Sequence, residues 1–183
     1  MSNILLEPFN WTPELKVYQK ILEESAQSDS NWPVFNEGKE HAAILMSIIF
    51  KQAKDYVYLY CYALSPELSR FDIYYESLND CINRGVEVKL LLQSPEAFNY
   101  TNPSIDIIRK NPDNAKILTE EQDKKLKENL NDMDIHFAIS DDKRYRLEYN
   151  KKDRKAISSF NDYSVAKVLK NAFEIAFNNE TVC

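Results

Sequence analysis

Apolar and polar positions alternate with two different periods along this chain, and the changes of period lay out its elements. From Thr12 to about Gln27 the spacing is helical, with Leu15, Tyr18, Ile21 and Leu22 on one face. Thr12-Pro13 supplies an N-cap followed by proline at the first helical position. Ser28 to Pro33 is a polar break. A second helix spans about Glu37 to Lys54, with Ala42, Leu45, Met46, Ile49, Phe50 and Ala53 at i, i+3, i+4 spacing. Tyr56 to Leu64 and Val86 to Gln93 are nearly continuous apolar runs, the signature of strands buried on both faces. Between them Pro66 to Arg84 predicts one helix, closed by Gly85 at the left-handed C-cap position. A loop from Ser94 to Pro103, a short helix at about Ser104 to Lys110 and a short strand at Ala115 to Leu118 follow. Thr119 and Gln122 form a capping-box pattern ahead of a polar helix anchored only by Leu126 and Leu130.

The stretch from Asp134 to Asn161 changes period again. Phe137 and Ile139 mark a buried strand, and Asp141-Asp142-Lys143 a tight polar turn. Tyr145, Leu147 and Tyr149 alternate with Arg146 and Glu148 in a second strand, and Ala156 to Phe160 is a third apolar run. A last amphipathic helix covers about Asp162 to Asn178. Strands alternating with helices, followed by a meander, predict an α/β fold whose mixed sheet carries helices on both faces. We read 1–35 as an N-terminal helical arm whose lead is anchored by Leu5, Leu6, Phe9 and Trp11. The main domain is then 36–179, and 180–183 is a tail.

Asp134-Ile-His136-Phe-Ala-Ile-Ser-Asp141 on one strand, and Ser159-Phe-Asn161 ahead of a helix, resemble the phospholipase D superfamily. That family carries H-x-K-x-x-x-x-D on a strand and Gly-Ser or Ser-x-Asn on a later one. The resemblance covers about Glu37 to Asn178 and implies a single phospholipase D-like half, with the first helix as an addition. It places Asp134 at the position of the attacking histidine, His136 at that of the phosphate-binding lysine and Asp141 at that of the aspartate. The motif is therefore degenerate, and the segment from Tyr149 to Lys155 is longer than the family pattern. Active members bring two motifs together, so an active site here would require a homodimer.

Composition narrows the reading. Two glycines exclude the glycine-rich phosphate loops of nucleotide-binding folds, and a formal net charge of −6 excludes a global basic footprint for nucleic acid. Cys61, Cys81 and Cys183 are odd in number and lack C-x-x-C spacing, which fits reduced thiols in a cytoplasmic protein. With only His41 and His136, no metal site is expected; nor is a cofactor, a signal peptide or a transmembrane segment.

The candidate residues each carry two readings. Asp134 is either a carboxylate nucleophile or a surface residue at a strand entry. His136 is either a phosphate-binding or proton-transferring imidazole, or a histidine satisfied internally by Asp141 or a backbone carbonyl. Arg144 and Arg146 belong to a basic cluster with Lys143, Lys151, Lys152, Arg154 and Lys155, interleaved with Tyr145 and Tyr149. Such a cluster suits a nucleic-acid strand or an anionic headgroup. Asp141, Asp142, Glu148 and Asp153 balance it, and on charge the solvated hairpin is favoured. Ser159 and Asn161 either hold an anion at the helix N-terminus or leave that end to capping by Asn161 or Asp162. Three function classes remain. The altered motif favours a catalytically inactive module that binds a phosphate-bearing ligand, nucleic acid or protein, and a structural subunit docking a partner through the N-terminal helix, over a phosphodiesterase or nuclease with a rewired site.

Overall fold

A computed structural model describes residues 6–98 and 102–178. Leu5, residues 99–101 of the loop after the second long strand, and the tail with Cys183 lie outside the described residues.

Seven strands form one sheet in the order β1-β7-β6-β5-β2-β3-β4. They are β1 (Val34–Asn36), β2 (Tyr56–Cys61), β3 (Glu87–Leu92), β4 (Ala115–Ile117), β5 (His136–Ser140), β6 (Arg144–Asn150) and β7 (Lys155–Ser159). β2, β3 and β4 are parallel, and every pairing from β2 out to β1 through β5, β6 and β7 is antiparallel. The helices are α1 (Pro13–Gln27), α2 (Lys39–Gln52), α3 (Pro66–Ser69), α4 (Asp72–Asn83), α5 (Pro103–Ile108), α6 (Glu120–Asn129) and α7 (Tyr163–Asn178). Strand pleating sends alternate residues to opposite faces and builds two cores. Val57, Leu59, Leu90 and Ala138 pack with α1, α2, α4 and α5. Tyr58, Leu91, Phe137 and Ile139 pack with α6 and α7. Met46, Ile49, Leu59, Leu90, Ile139 and Phe173 are all buried, as the apolar spacing requires.

Local signals act where the sequence places them. Thr12 Oγ1 accepts the Leu15 N–H, Thr119 and Gln122 complete a reciprocal capping box, and Gly85 takes a φ of +84° at the end of α4. The segment Pro66 to Arg84 differs from its expected single helix. Phe71 is extended and buried, its ring 5.1 Å from Phe9, and the Asp72 N–H donates to the Glu7 carbonyl. The N-terminal lead thus pairs with the chain at Phe71 and splits the helix into α3 and α4. β1 carries no periodic signal in three residues. It joins the sheet because Val34 to Asn36 pair with Ser158 to Ala156. Among the described residues no helix is long and apolar enough to cross a membrane.

Candidate functional site

Ser140 to Lys143 form the turn that sets the geometry of the site. Asp141 and Asp142 have φ of +52° and +58°, and the Lys143 N–H donates to the Ser140 carbonyl at 3.3 Å. Asp141 to Lys143 form a three-residue loop between antiparallel strands, and the short side chains of Asp141 and Asp142 tolerate the left-handed region. The turn fixes the pairs Ser140 with Arg144, Ala138 with Arg146, and His136 with Glu148. All six side chains therefore share the face beneath α1 and α2, while Phe137, Tyr145 and Leu147 take the other.

The result corrects the expectation of a solvated hairpin: Arg144 is 3% exposed and Arg146 7%. Buried cations require partners. Arg144 Nη1 lies 2.8 Å from Asp141 Oδ2, and Arg146 Nη2 lies 2.7 Å from Glu148 Oε2. Glu148 Oε1 is in turn 3.5 Å from His136 Nδ1. Burial pushes the Glu148 carboxyl up, but the His136 contact and the Arg146 charge outweigh it and hold the group below the usual glutamate range. His136 Nε2 accepts the Tyr62 N–H at 3.0 Å, so the proton of the neutral ring sits on Nδ1, toward Glu148. The partners of His136 are thus Glu148 and a backbone N–H, not Asp141 or a carbonyl.

Around this group lies a cavity of about 80 Å³, at the ends of β2 and β6. Met46, Leu59, Leu64 and Leu68 line its apolar part, and His136, Arg146, Glu148, Arg154 and Ser65 its polar part. Arg154 Nη2 donates to Ser65 Oγ at 3.0 Å. The Arg146 Nε is buried and has no acceptor among the described residues. Cys61 also lines the cavity, and burial pushes its thiol up to about 12.

The other candidates lie apart from this group. The Asp134 side chain is largely exposed and paired with Lys151, whose contact lowers the Asp134 carboxyl. Asp141 sits at the opposite end of β5. It accepts the backbone N–H groups of Lys54, Asp55 and Tyr56 as well as the Arg144 guanidinium. Ser159 pairs with Tyr145, three residues along β6 from Glu148, which is about 10 Å at strand rise. Its Oγ accepts the Asn161 N–H, while Asp162 Oδ1 accepts from Ser164 and Val165 and caps α7. The structure therefore brings His136 and Arg146 together and leaves Asp141, Arg144, Ser159 and Asn161 at the other end of the sheet. Glu148, Arg154 and Ser65 complete the cavity group. The inward phase of Arg146 and Glu148, set by the turn, is the signal that finds the first.

No protein-family model matches the sequence, and no curated protein matches it. Solved structures do. The chain is similar to TrmBL2, an archaeal chromatin protein with a novel mode of DNA binding, at 14% identity and a TM-score of 0.53 over 90% of this chain. It spans 60% of that protein's length. It is similar to Nuc from Salmonella typhimurium, a phospholipase D family member, at 14% identity and a TM-score of 0.54, covering 80% of this chain and 95% of Nuc. NucT from Helicobacter pylori gives 15% identity and a TM-score of 0.55, covering 80% and 96%. The fold is that of phospholipase D-like proteins: a mixed seven-stranded sheet flanked by helices.

Proposed function

We propose that this chain is a phospholipase D-like module that binds an anionic ligand at the ends of β2 and β6 and does not hydrolyse a phosphodiester. The observation that carries this reading is Arg146: a buried cation that lines a cavity together with a second arginine, Arg154. Three features speak against turnover. Asp134 is turned to solvent and paired with Lys151, so the residue at the family's attacking position does not face the cavity. Both nitrogens of His136 are engaged within the fold. Ser159 and Asn161, the family's phosphate-holding positions, lie at the opposite end of the sheet. A site contained in one subunit also removes the need for a homodimer, and sedimentation should give a monomer.

DNA is a second ligand reading, favoured by the exposed ring of Tyr149 beside Lys151 and Lys152 and by the likeness to the chromatin protein. It is the weaker one, because Lys151 and Lys155 are paired with Asp134 and Glu37 and the net charge is −6. Docking of a protein partner on α1 would use Val17 and Ile21, both exposed. The purified chain should not hydrolyse bis-p-nitrophenyl phosphate, DNA or phosphatidylcholine above background, and Asp134→Ala should leave that background unchanged. Robust turnover abolished by Asp134→Ala would overturn the reading and make Asp134 catalytic.

A further inference from the structure

The ladder between β2 and β5 ends where Tyr60 faces Phe137. Beyond it the chain runs from Tyr62 to Ser65 before α3, and Ala63, Leu64 and Ser65 form part of the cavity wall. The ties of this segment to the rest of the fold include four hydrogen bonds. The Tyr62 N–H donates to His136 Nε2 at 3.0 Å. The Tyr62 carbonyl accepts the Ser94 N–H at 2.9 Å, the Leu64 carbonyl accepts Asn102 Nδ2 at 2.8 Å, and Ser65 Oγ accepts Arg154 Nη2 at 3.0 Å. Amide, hydroxyl and guanidinium groups keep one protonation state through neutral and mildly acid pH, whereas an imidazole does not. The bond to Tyr62 needs a bare Nε2. A proton added there turns the acceptor into a donor, and two N–H groups then oppose each other. The charges around the ring divide. Glu148 on β6, 3.5 Å from Nδ1, and Asp134 ahead of β5 favour an imidazolium. Arg146 and Arg154 oppose it, but each has a carboxylate of its own, in Glu148 and in Glu67 of α3. Lys151, and Lys127 of α6, act on Asp134. Tyr60 and Cys61 of β2 and Tyr74 of α4 also line the cavity, and burial pushes all three of their protons toward retention. Met46 brings only hydrocarbon from α2.

We propose that His136 is a proton-operated latch on the Tyr62 to Ser65 segment. With Nε2 bare, the ring holds the Tyr62 N–H and the segment stays against the cavity. When Nε2 takes a proton from solvent, the imidazolium remains paired with Glu148 through Nδ1–H. The Tyr62 N–H then loses its acceptor and turns to water, and the segment is released from the wall. Tyr62 is 58% exposed, so water lies close at hand. The pairings of β2 with β3 and β5 persist, because their donors and acceptors are backbone groups that do not titrate. The latch concerns the wall of the cavity whichever ligand it takes, and it stands apart from the anion-binding reading.

Nitrogen-15 NMR of the full chain from about pH 8 to about pH 5 tests this. The ring nitrogens of His136 should report a bare Nε2 at the upper end and a protonated one at the lower, with one midpoint. The Tyr62 amide resonance should shift with that same midpoint. Its hydrogen-exchange protection, corrected for the intrinsic effect of pH, should fall about fivefold or more. The Leu90 amide, on the central strand β3, should keep its protection throughout and so mark the opening as local. His136→Gln carries no titrating group, so its Tyr62 protection should be independent of pH over this range, whatever its level. His41→Gln removes the other histidine and should leave the midpoint in place. A ring that stays neutral with Tyr62 protected down to about pH 5 would overturn the latch. So would a pH-dependent Tyr62 amide in His136→Gln. Loss of Tyr62 and Leu90 protection together would also overturn it, because that is acid unfolding of the whole domain.

Discussion

Asp141→Ala should unfold this protein far more readily than loss of a catalytic group would. The Asp141 carboxylate accepts three backbone N–H groups, from Lys54, Asp55 and Tyr56, and pairs at 2.8 Å with an Arg144 that is 3% exposed. Lys54 and Asp55 lie at the surface, where water replaces the lost acceptor at little cost. Arg144 has no such recourse: removing one partner of a buried ion pair costs about 3–5 kcal/mol. Alanine at a φ of +52° adds about 1–2 kcal/mol. The sum is about 4–7 kcal/mol. At a urea m-value of about 2 kcal/mol/M, that moves the midpoint down by about 2–3.5 M. The pair Asp141→Ala with Arg144→Met separates the causes. It removes the stranded charge, so it should recover at least about 2 kcal/mol of the single-variant loss. A single-variant loss under about 1 kcal/mol, or a double variant no more stable than the single, would refute the clamp and return Asp141 to the list of site residues.

Two further perturbations probe the sheet and the cavity. Leu90, fully buried on the central strand β3, should cost about 2–5 kcal/mol as Leu90→Ala through lost transfer energy and a cavity, read from denaturant midpoints. The lowered Glu148 carboxyl links stability to pH. Its contribution is complete above the ordinary value of 4.5 and is lost as pH falls through the lower folded value. Glu148→Gln should therefore flatten the acid limb of a Tm-against-pH profile below about pH 5, and an unchanged acid limb would show that the His136 and Arg146 contacts do not hold the carboxylate.

Most of the architecture was legible because it rests on local chemistry. Helical spacing in α2 and α7, continuous apolar runs in β2 and β3, the Thr119–Gln122 capping box and Gly85 after α4 each act within a few residues. Where the reading differed, a distant segment intervened. Pairing with Glu7 and packing of Phe9 broke the helix at Phe71, and pairing with β7 made a strand of Val34 to Asn36. The likeness to the phospholipase D fold, suggested by the sequence, stands in the structure.

The sequence by itself determined the α/β class, the order of most elements and the apolar residues of the two cores, because burial follows periodicity. Resemblance to the phospholipase D pattern suggests one shared site for Asp134, His136, Asp141, Ser159 and Asn161. Only the tertiary structure decided which of them meet. The three-residue turn at Asp141 to Lys143 sets the phase of β6, and that phase buries Arg144, Arg146 and Glu148, which charge counting alone assigns to solvent. β7 then runs back along β6 and carries Ser159 away from His136, leaving the cavity to Arg146, Glu148 and Arg154. Strand phase and strand direction are properties of the paired sheet, and a single strand read in isolation contains neither.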